Sequence, residues 1–292
     1  MKQFSIFFLN LIPRMKPDVL ALCAIFLWAA LAPLGVQLSH IPPFLLTGLG
    51  LLIGSLISLP LARFRISRWK VPLPTLLVGI YGLFGFHFLL FMALRHAPAV
   101  EANLINYLWP LGMVVLAPLF LKEVALRVRH VVAALIGFSG AAIAILGRGD
   151  ASFALDGFHS GYGLALMSAL VWASYSLMTR RLPAFPTAAV GGFAAASGLL
   201  SLLCHAWLEP AVSLNTQDLV LICILGLGPL GGAFFLWDAA IKKGDTQRIG
   251  LLAFATPILS TALLLITTGQ ALQWNIAIAA TLVVGAAVWG SR

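Results

Sequence analysis

Runs of about twenty apolar residues recur along the whole chain, separated by short segments that hold most of the charge. That length is what an α-helix needs to cross a hydrocarbon core of roughly 30 Å. The runs predict ten spans near 18–37, 43–62, 72–94, 99–121, 128–147, 160–179, 187–207, 218–241, 247–268 and 273–290. Helices are required because a lipid-facing backbone must satisfy its own hydrogen bonds, which an open sheet cannot do. The spans also lack the period-two alternation of a membrane barrel. Composition agrees: 61% of the 292 residues are hydrophobic and 9% are charged, against about 25% charged in soluble domains.

The net charge of +9 does not point to nucleic acid, because the basic residues sit in clusters between apolar runs, as topology signals do. With the N-terminus inside, 16 of the 18 Lys and Arg residues fall on inner segments, and only Arg95 and Arg148 lie outside. The expected location is the inner (cytoplasmic) membrane of the cell, multi-pass, with both termini cytoplasmic. Residues 1–14 resemble a signal peptide only faintly, since Pro13-Arg14 stands where a small-residue cleavage site belongs. They read as part of a cytoplasmic extension over 1–17, with Met15 as an alternative start. Cys23, Cys204 and Cys223 lie in apolar segments without metal-ligand spacing, and packing is their expected role.

An internal repeat underlies the ten spans. Leu20-Ala21-Leu22 and Trp28-Ala29 recur 144 residues later as Leu164-Ala165-Leu166 and Trp172-Ala173. Pro110 recurs as Pro257, and Leu94-Arg95-His96 matches Ile241-Lys242-Lys243, both 147 residues on. Five spans per half is an odd number, so the halves enter the membrane from opposite sides. The expected organisation is a five-helix repeat over 18–147, an outer linker over 148–159 and an inverted second repeat over 160–292. Such repeats enclose a midplane site in many carriers. The predicted fold is therefore an all-α integral membrane bundle of two inverted repeats around a central cavity.

These features resemble the ten-helix EamA-type members of the drug/metabolite transporter superfamily. The resemblance rests on the Trp28 and Trp172 helices, on Ala93-Leu94-Arg95-His96-Ala97-Pro98-Ala99, on Pro110 and a Lys122-Glu123 exit. In the second half it rests on Ala240-Ile241-Lys242-Lys243-Gly244, Pro257 and Gly269-Gln270. Members of this type often show Gly-Glu at both exits. Lys122 and Gln270 depart from that pattern, which weakens any mechanism needing both carboxylates. A narrower motif, Asn106-Tyr107-Leu108-Trp109-Pro110, is similar to the fourth span of YddG-type aromatic amino-acid exporters. That similarity implies export of aromatic and other neutral amino acids.

Several residues carry the candidate site. Asn103, Asn106, Tyr107 and Pro110 follow i, i+3, i+4, i+7 spacing and share one helix face. Pro110 removes a backbone donor and frees the Asn106 carbonyl. Ser168, Trp172, Tyr175 and Thr179 form a second such face, on which aromatics can stack on a ring or hold an ammonium. Interhelical packing is the bland alternative for both faces. Trp28 is the repeat mate of Trp172. His87 lies inside the third span with Phe84 and Phe91, and an ionisable group there is a functional candidate. Trp109, Tyr81 on the opposite side of the third span, and Trp237 beside Asp238 complete the substrate-binding set.

Glu101, Glu123 and Asp238 all lie near helix ends, so no carboxylate occupies a span centre, which favours facilitated diffusion over proton antiport. Asp238 has Lys242 one turn on as a partner. Glycines 79, 82 and 85, and 226, 228, 231 and 232 around Pro229, predict close packing or a hinge in the third and eighth spans. Walker, serine-elbow, HExxH and Cys-His metal patterns are missing from the sequence. The reading is a non-enzyme without metal or cofactor, expected to be a monomer, with amino acids and the lipid bilayer as partners and no nucleic acid. Carriers of purines, drugs or other metabolites, and a polytopic membrane enzyme, are the competing classes.

Overall fold

The computed structural model describes residues 15–146, 159–269 and 274–290, and the features below refer to these. Residues 1–14, Arg148, Gln270 and Arg292 lie outside the described residues. The first nine helices are long and apolar enough to span a membrane: α1 Pro17–Gln37, α2 Pro43–Leu61, α3 Leu73–His96, α4 Ala99–Phe120, α5 Val128–Leu146, α6 Ser160–Met178, α7 Thr187–Leu208, α8 Thr216–Lys243 and α9 Thr246–Thr267. A shorter α10, Trp274–Gly290, follows. Its 17 residues rise about 25 Å, close to the hydrocarbon thickness. No strand occurs among the described residues, and Cys23, Cys204 and Cys223 are free thiols. Apolar side chains such as Phe26, Leu119 and Val128 point outward, which is the arrangement a lipid solvent favours.

Helix starts follow local rules. Pro17, Pro43, Leu73-Pro74 and Trp109-Pro110 open helical segments, where the missing proline N–H costs nothing. Asn215 and Asp218 form a reciprocal capping box at the start of α8. Asp245 accepts the Gln247 and Arg248 amides at the start of α9.

The two halves obey one exchange rule. A π-helical turn spans Tyr81–Gly85 in α3, and a second spans Gly228–Gly232 in α8, 147 residues on (228 − 81). The segments that follow, Phe86–His96 and Ala233–Lys243, keep the same offset. So do Ala99–Asn106 and Thr246–Ala253, the first halves of the broken helices α4 and α9. Packing obeys it too. Helix α3 lies on α6 as α8 lies on α1, and α4 lies on α6 as α9 lies on α1. The pairs α2 with α7, α4 with α9 and α5 with α10 join mates across the pseudo-axis.

Glycine sets how close these helices come. A Cβ on Gly48 of α2 would sit 3.1 Å from the Gly198 carbonyl of α7, and one on Gly198 would sit 2.9 Å from the Gly48 carbonyl. In the third span, a Cβ on Gly82 would strike the ring of Tyr175. The glycines therefore do pack closely, as small residues at membrane interfaces do. They also occupy both π turns, where the i→i+4 ladder is interrupted.

Candidate functional site

A cavity of about 440 Å³ opens among α1, α2, α3, α4, α6, α8 and α9. It extends from a layer of indoles toward the face where α1 ends, past Gly35, Leu46, Leu94 and Ser260. Its lining includes no Asp, Glu, Lys or Arg.

The aromatic layer is built from four helices. Trp28 of α1 meets its repeat mate Trp172 of α6 edge-on, with ring centroids 5.7 Å apart. Trp109 of α4 packs against both at 6.4 Å, and Phe234 of α8 lies 6.0 Å from Trp28 and 5.6 Å from Trp172. Edge-to-face indoles leave positive ring edges and negative faces together on one wall, able to take a flat ring or an ammonium. Below them Trp237 closes the floor, 5.1 Å from Trp28 and 5.5 Å from Trp109.

Polar groups cluster at the break in α4. The helix stops at Asn106 and restarts at Trp109, with Pro110 in its first turn. Asn103, Asn106 and Tyr107 line the cavity there. The Ser168 hydroxyl donates to Asn106 Oδ1 at 2.7 Å, with the Ala165 carbonyl 2.8 Å away as a second acceptor. This holds the amide so that its NH2 group remains available. Opposite, α9 breaks at Phe254. The Thr256 hydroxyl, in the first turn of its second half, is buried without a partner among the described residues. The α4 break turns the N-terminal end of the segment Trp109–Phe120 toward the cavity, and such ends favour anionic groups.

His87 also lines the cavity. Its Nδ1 lies 2.6 Å from the Leu83 carbonyl. A carbonyl only accepts, so Nδ1 carries the proton and Nε2 is left as an acceptor. Leu83 lies in the π turn of α3, where the altered ladder frees carbonyls for side chains.

Of the residues singled out in the sequence, Trp28, His87, Asn103, Asn106, Tyr107, Trp109 and Trp172 meet on this one cavity. Four others do not line it. Tyr81 is 40% exposed on the outside of the bundle and bonds Ser174 at 2.8 Å, on the side of α3 opposite His87. Tyr175 lies beneath Trp172, in the notch over Gly82. Pro110 is buried and begins a helix, so it shapes the break without touching the void. Trp237 is under the floor, its indole N–H donating to Ser176 Oγ at 3.1 Å. The sequence reading missed Thr47, Phe86, Phe234, Thr256 and Ser260. The 147-residue offset carries a signal for two of them, since Phe234 is the mate of His87 and Thr256 the mate of Trp109.

Both faces of the bundle are tied by charge. On the face where α1 begins, Lys242 bonds Asp238 at 2.7 Å and the Phe185 carbonyl at 3.1 Å, with its ammonium 3.4 Å from the Phe185 ring centroid. Nearby, Arg180 donates to the Gly244 carbonyl and to Thr246 Oγ1, both at 3.0 Å, and Arg248 pairs with Asp18 at 2.7 Å. On the other face Arg95, the repeat mate of Lys242, pairs with Glu209 at 3.0 Å and lies 5.4 Å from the centroid of Phe44. No group of three or more His, Cys, Asp or Glu side chains suited to a metal occurs among the described residues.

Comparison with known proteins places this architecture. The EamA-like transporter family matches twice, at residues 15–146 and 159–291. The chain is 39% identical to the aromatic amino acid exporter YddG of Ancylobacter novellus over 94% of this chain and 96% of that one. It is 27% identical to the aromatic amino acid exporter YddG of Escherichia coli over 90% and 92%. A solved protein crystal structure superimposes with a TM-score of 0.87 at 38% identity, covering 94% of this chain and 95% of that one. With paired five-helix halves around one cavity and the family matched in each half, this chain belongs to the EamA-like transporter family.

Proposed function

We propose that this chain exports aromatic and other neutral amino acids from the cytoplasm by alternating access, as a monomer in the inner membrane with both termini inside. The observation that carries this reading is the cavity lining: indoles on one wall, amides, hydroxyls and an imidazole on the other, and no formal charge. A zwitterion is net neutral, so it enters without leaving an uncompensated charge in a site of low dielectric. Its ring or aliphatic side chain suits Trp28, Trp109 and Trp172. Its carboxylate suits the half-helix end at Trp109 with the Asn106 amide and the Thr256 hydroxyl, and its ammonium suits the indole faces and His87 Nε2. The two relatives named as aromatic amino acid exporters support the substrate class. The distribution of Lys and Arg supports the orientation.

The test is efflux of labelled phenylalanine, threonine and a purine from proteoliposomes. Phenylalanine and threonine should leave and the purine should stay. Absence of amino-acid flux from protein that is folded and inserted would discard the reading. Trp172→Ala should raise the KM for phenylalanine about tenfold, as loss of one or two aromatic contacts implies, with a smaller effect on threonine. Unchanged kinetics in that variant would remove the indole wall from the site.

A further inference from the structure

The α2–α3 connection combines features that the transport reading does not use. It joins two membrane spans that end at Leu61 and begin at Leu73, so it lies at headgroup level. The backbone turns through two consecutive left-handed residues, Arg63 at φ 52° and Phe64 at φ 58°. That conformation is unfavourable for a side chain as large as phenylalanine. The turn leaves Phe64 61% and Ile66 63% exposed. Between and beside them stand Arg63, Arg65, Arg68 and Lys70, all exposed.

These four cations differ from several others on their face. Arg180, Lys242 and Arg248 are each engaged by carboxylates or carbonyls. Arg63, Arg65, Arg68 and Lys70 have no ion-pair or side-chain hydrogen-bond partner among the described residues. The sequence holds no acidic residue between Asp18 and Glu101, so local compensation is lacking. Trp69 anchors the loop against Gly192 at the start of α7, where an added Cβ would meet its Cβ at 3.4 Å. Its indole N–H is shielded from solvent and unpartnered among the described residues.

We propose that this loop is a binding site for an anionic phospholipid of the leaflet it faces. Guanidinium groups are forked donors matched to a phosphate diester, and Lys70 adds a point charge. Phe64 and Ile66 enter the glycerol and upper acyl layer beside the headgroup, which interleaved basic and apolar residues at a membrane boundary suit. Nucleic acid or a soluble acidic protein would gain from the charges but would leave Phe64 and Ile66 in water. The inference is independent of what the cavity carries.

The test is native mass spectrometry of the protein released from nanodiscs of mixed phosphatidylglycerol and phosphatidylcholine, counting retained lipids. Two variants remove equal charge from the same face: Arg63→Gln/Arg65→Gln/Arg68→Gln in the loop, and Lys122→Gln/Arg127→Gln/Arg129→Gln in the α4–α5 connection and the first turn of α5. The wild type should retain phosphatidylglycerol preferentially, with retention falling as salt rises. The loop variant should lose it by about fivefold or more, and the other variant by less than about twofold. Equal loss in both variants would show diffuse surface charge and overturn the proposal. So would equal retention of the two lipids by the wild type, or displacement by millimolar inorganic phosphate, which would make the ligand a soluble anion. If the triple loop variant does not fold, the single variants Arg65→Gln and Arg127→Gln carry the same comparison, and equal loss in those two overturns the proposal.

Discussion

Replacing Glu209 with alanine should destabilise the protein by about 3–4 kcal/mol, as expected when a buried pair loses one partner. Glu209 follows the last residue of α7, and its side chain is 0% exposed. It accepts the Phe44 and Leu45 amides at the start of α2, at 3.0 and 3.2 Å. It also accepts Arg95 Nη2 at the end of α3 and pairs with His205 Nδ1, both at 3.0 Å. Alanine strands two helix-start N–H groups, at roughly 1 kcal/mol or more each. It removes a negative charge from a helix N-terminus, a further 0.3–1 kcal/mol or so. Arg95 also loses its partner, but its side chain is 33% exposed, so water limits that loss to about 1 kcal/mol. Glu209→Gln keeps the shape while placing an NH2 group among donors, and should cost about 2 kcal/mol. Arg95→Met alone should cost about 1 kcal/mol. Because the two side chains touch, the double variant Arg95→Met/Glu209→Ala should fall short of additivity by about 1 kcal/mol. Equilibrium unfolding in mixed micelles, followed by far-ultraviolet circular dichroism, measures all four proteins. A loss below about 1 kcal/mol for Glu209→Ala, or strict additivity, would refute the picture of one carboxylate holding three helices together.

Other consequences are open to measurement. Gly54→Ala should cost about 1–3 kcal/mol or prevent accumulation, because its Cβ would meet only backbone, Gly231 Cα and the Leu230 carbonyl at 2.7 Å and the Gly226 carbonyl at 2.8 Å; thermal unfolding checks this. Lys242→Met should destabilise by about 3–5 kcal/mol by leaving Asp238 buried and unpaired, whereas Lys242→Met/Asp238→Leu should recover most of that loss. Phenylalanine efflux from proteoliposomes should be unaffected by a protonophore, because no carboxylate lines the cavity and the Asp238 carboxylate is engaged by Lys242; a strong dependence on the pH gradient would require a proton carrier elsewhere.

Length, hydropathy and repetition alone determined that the chain is a bundle of membrane helices. Apolar runs and their breakers marked the spans to within a few residues, because in lipid the backbone has no alternative to the helix. The 144- and 147-residue echoes carried the inverted repeat, whose offset recurs in both π turns. Helical periodicity also placed Asn103, Asn106 and Tyr107 on one face. Only the tertiary structure decided which aromatics meet. Tyr175 and Trp172 share a helix face, yet a single turn separates a cavity wall from packing over Gly82. Tyr81, which spacing already set on the opposite side of the third span from His87, faces outward and bonds Ser174. Phe234 and Thr256 reach the void through the pseudo-symmetry, and Glu209 finds partners 114 and 165 residues away. Such contacts depend on distances between helices, set by glycine packing and broken helices, and periodicity along one helix holds no record of them.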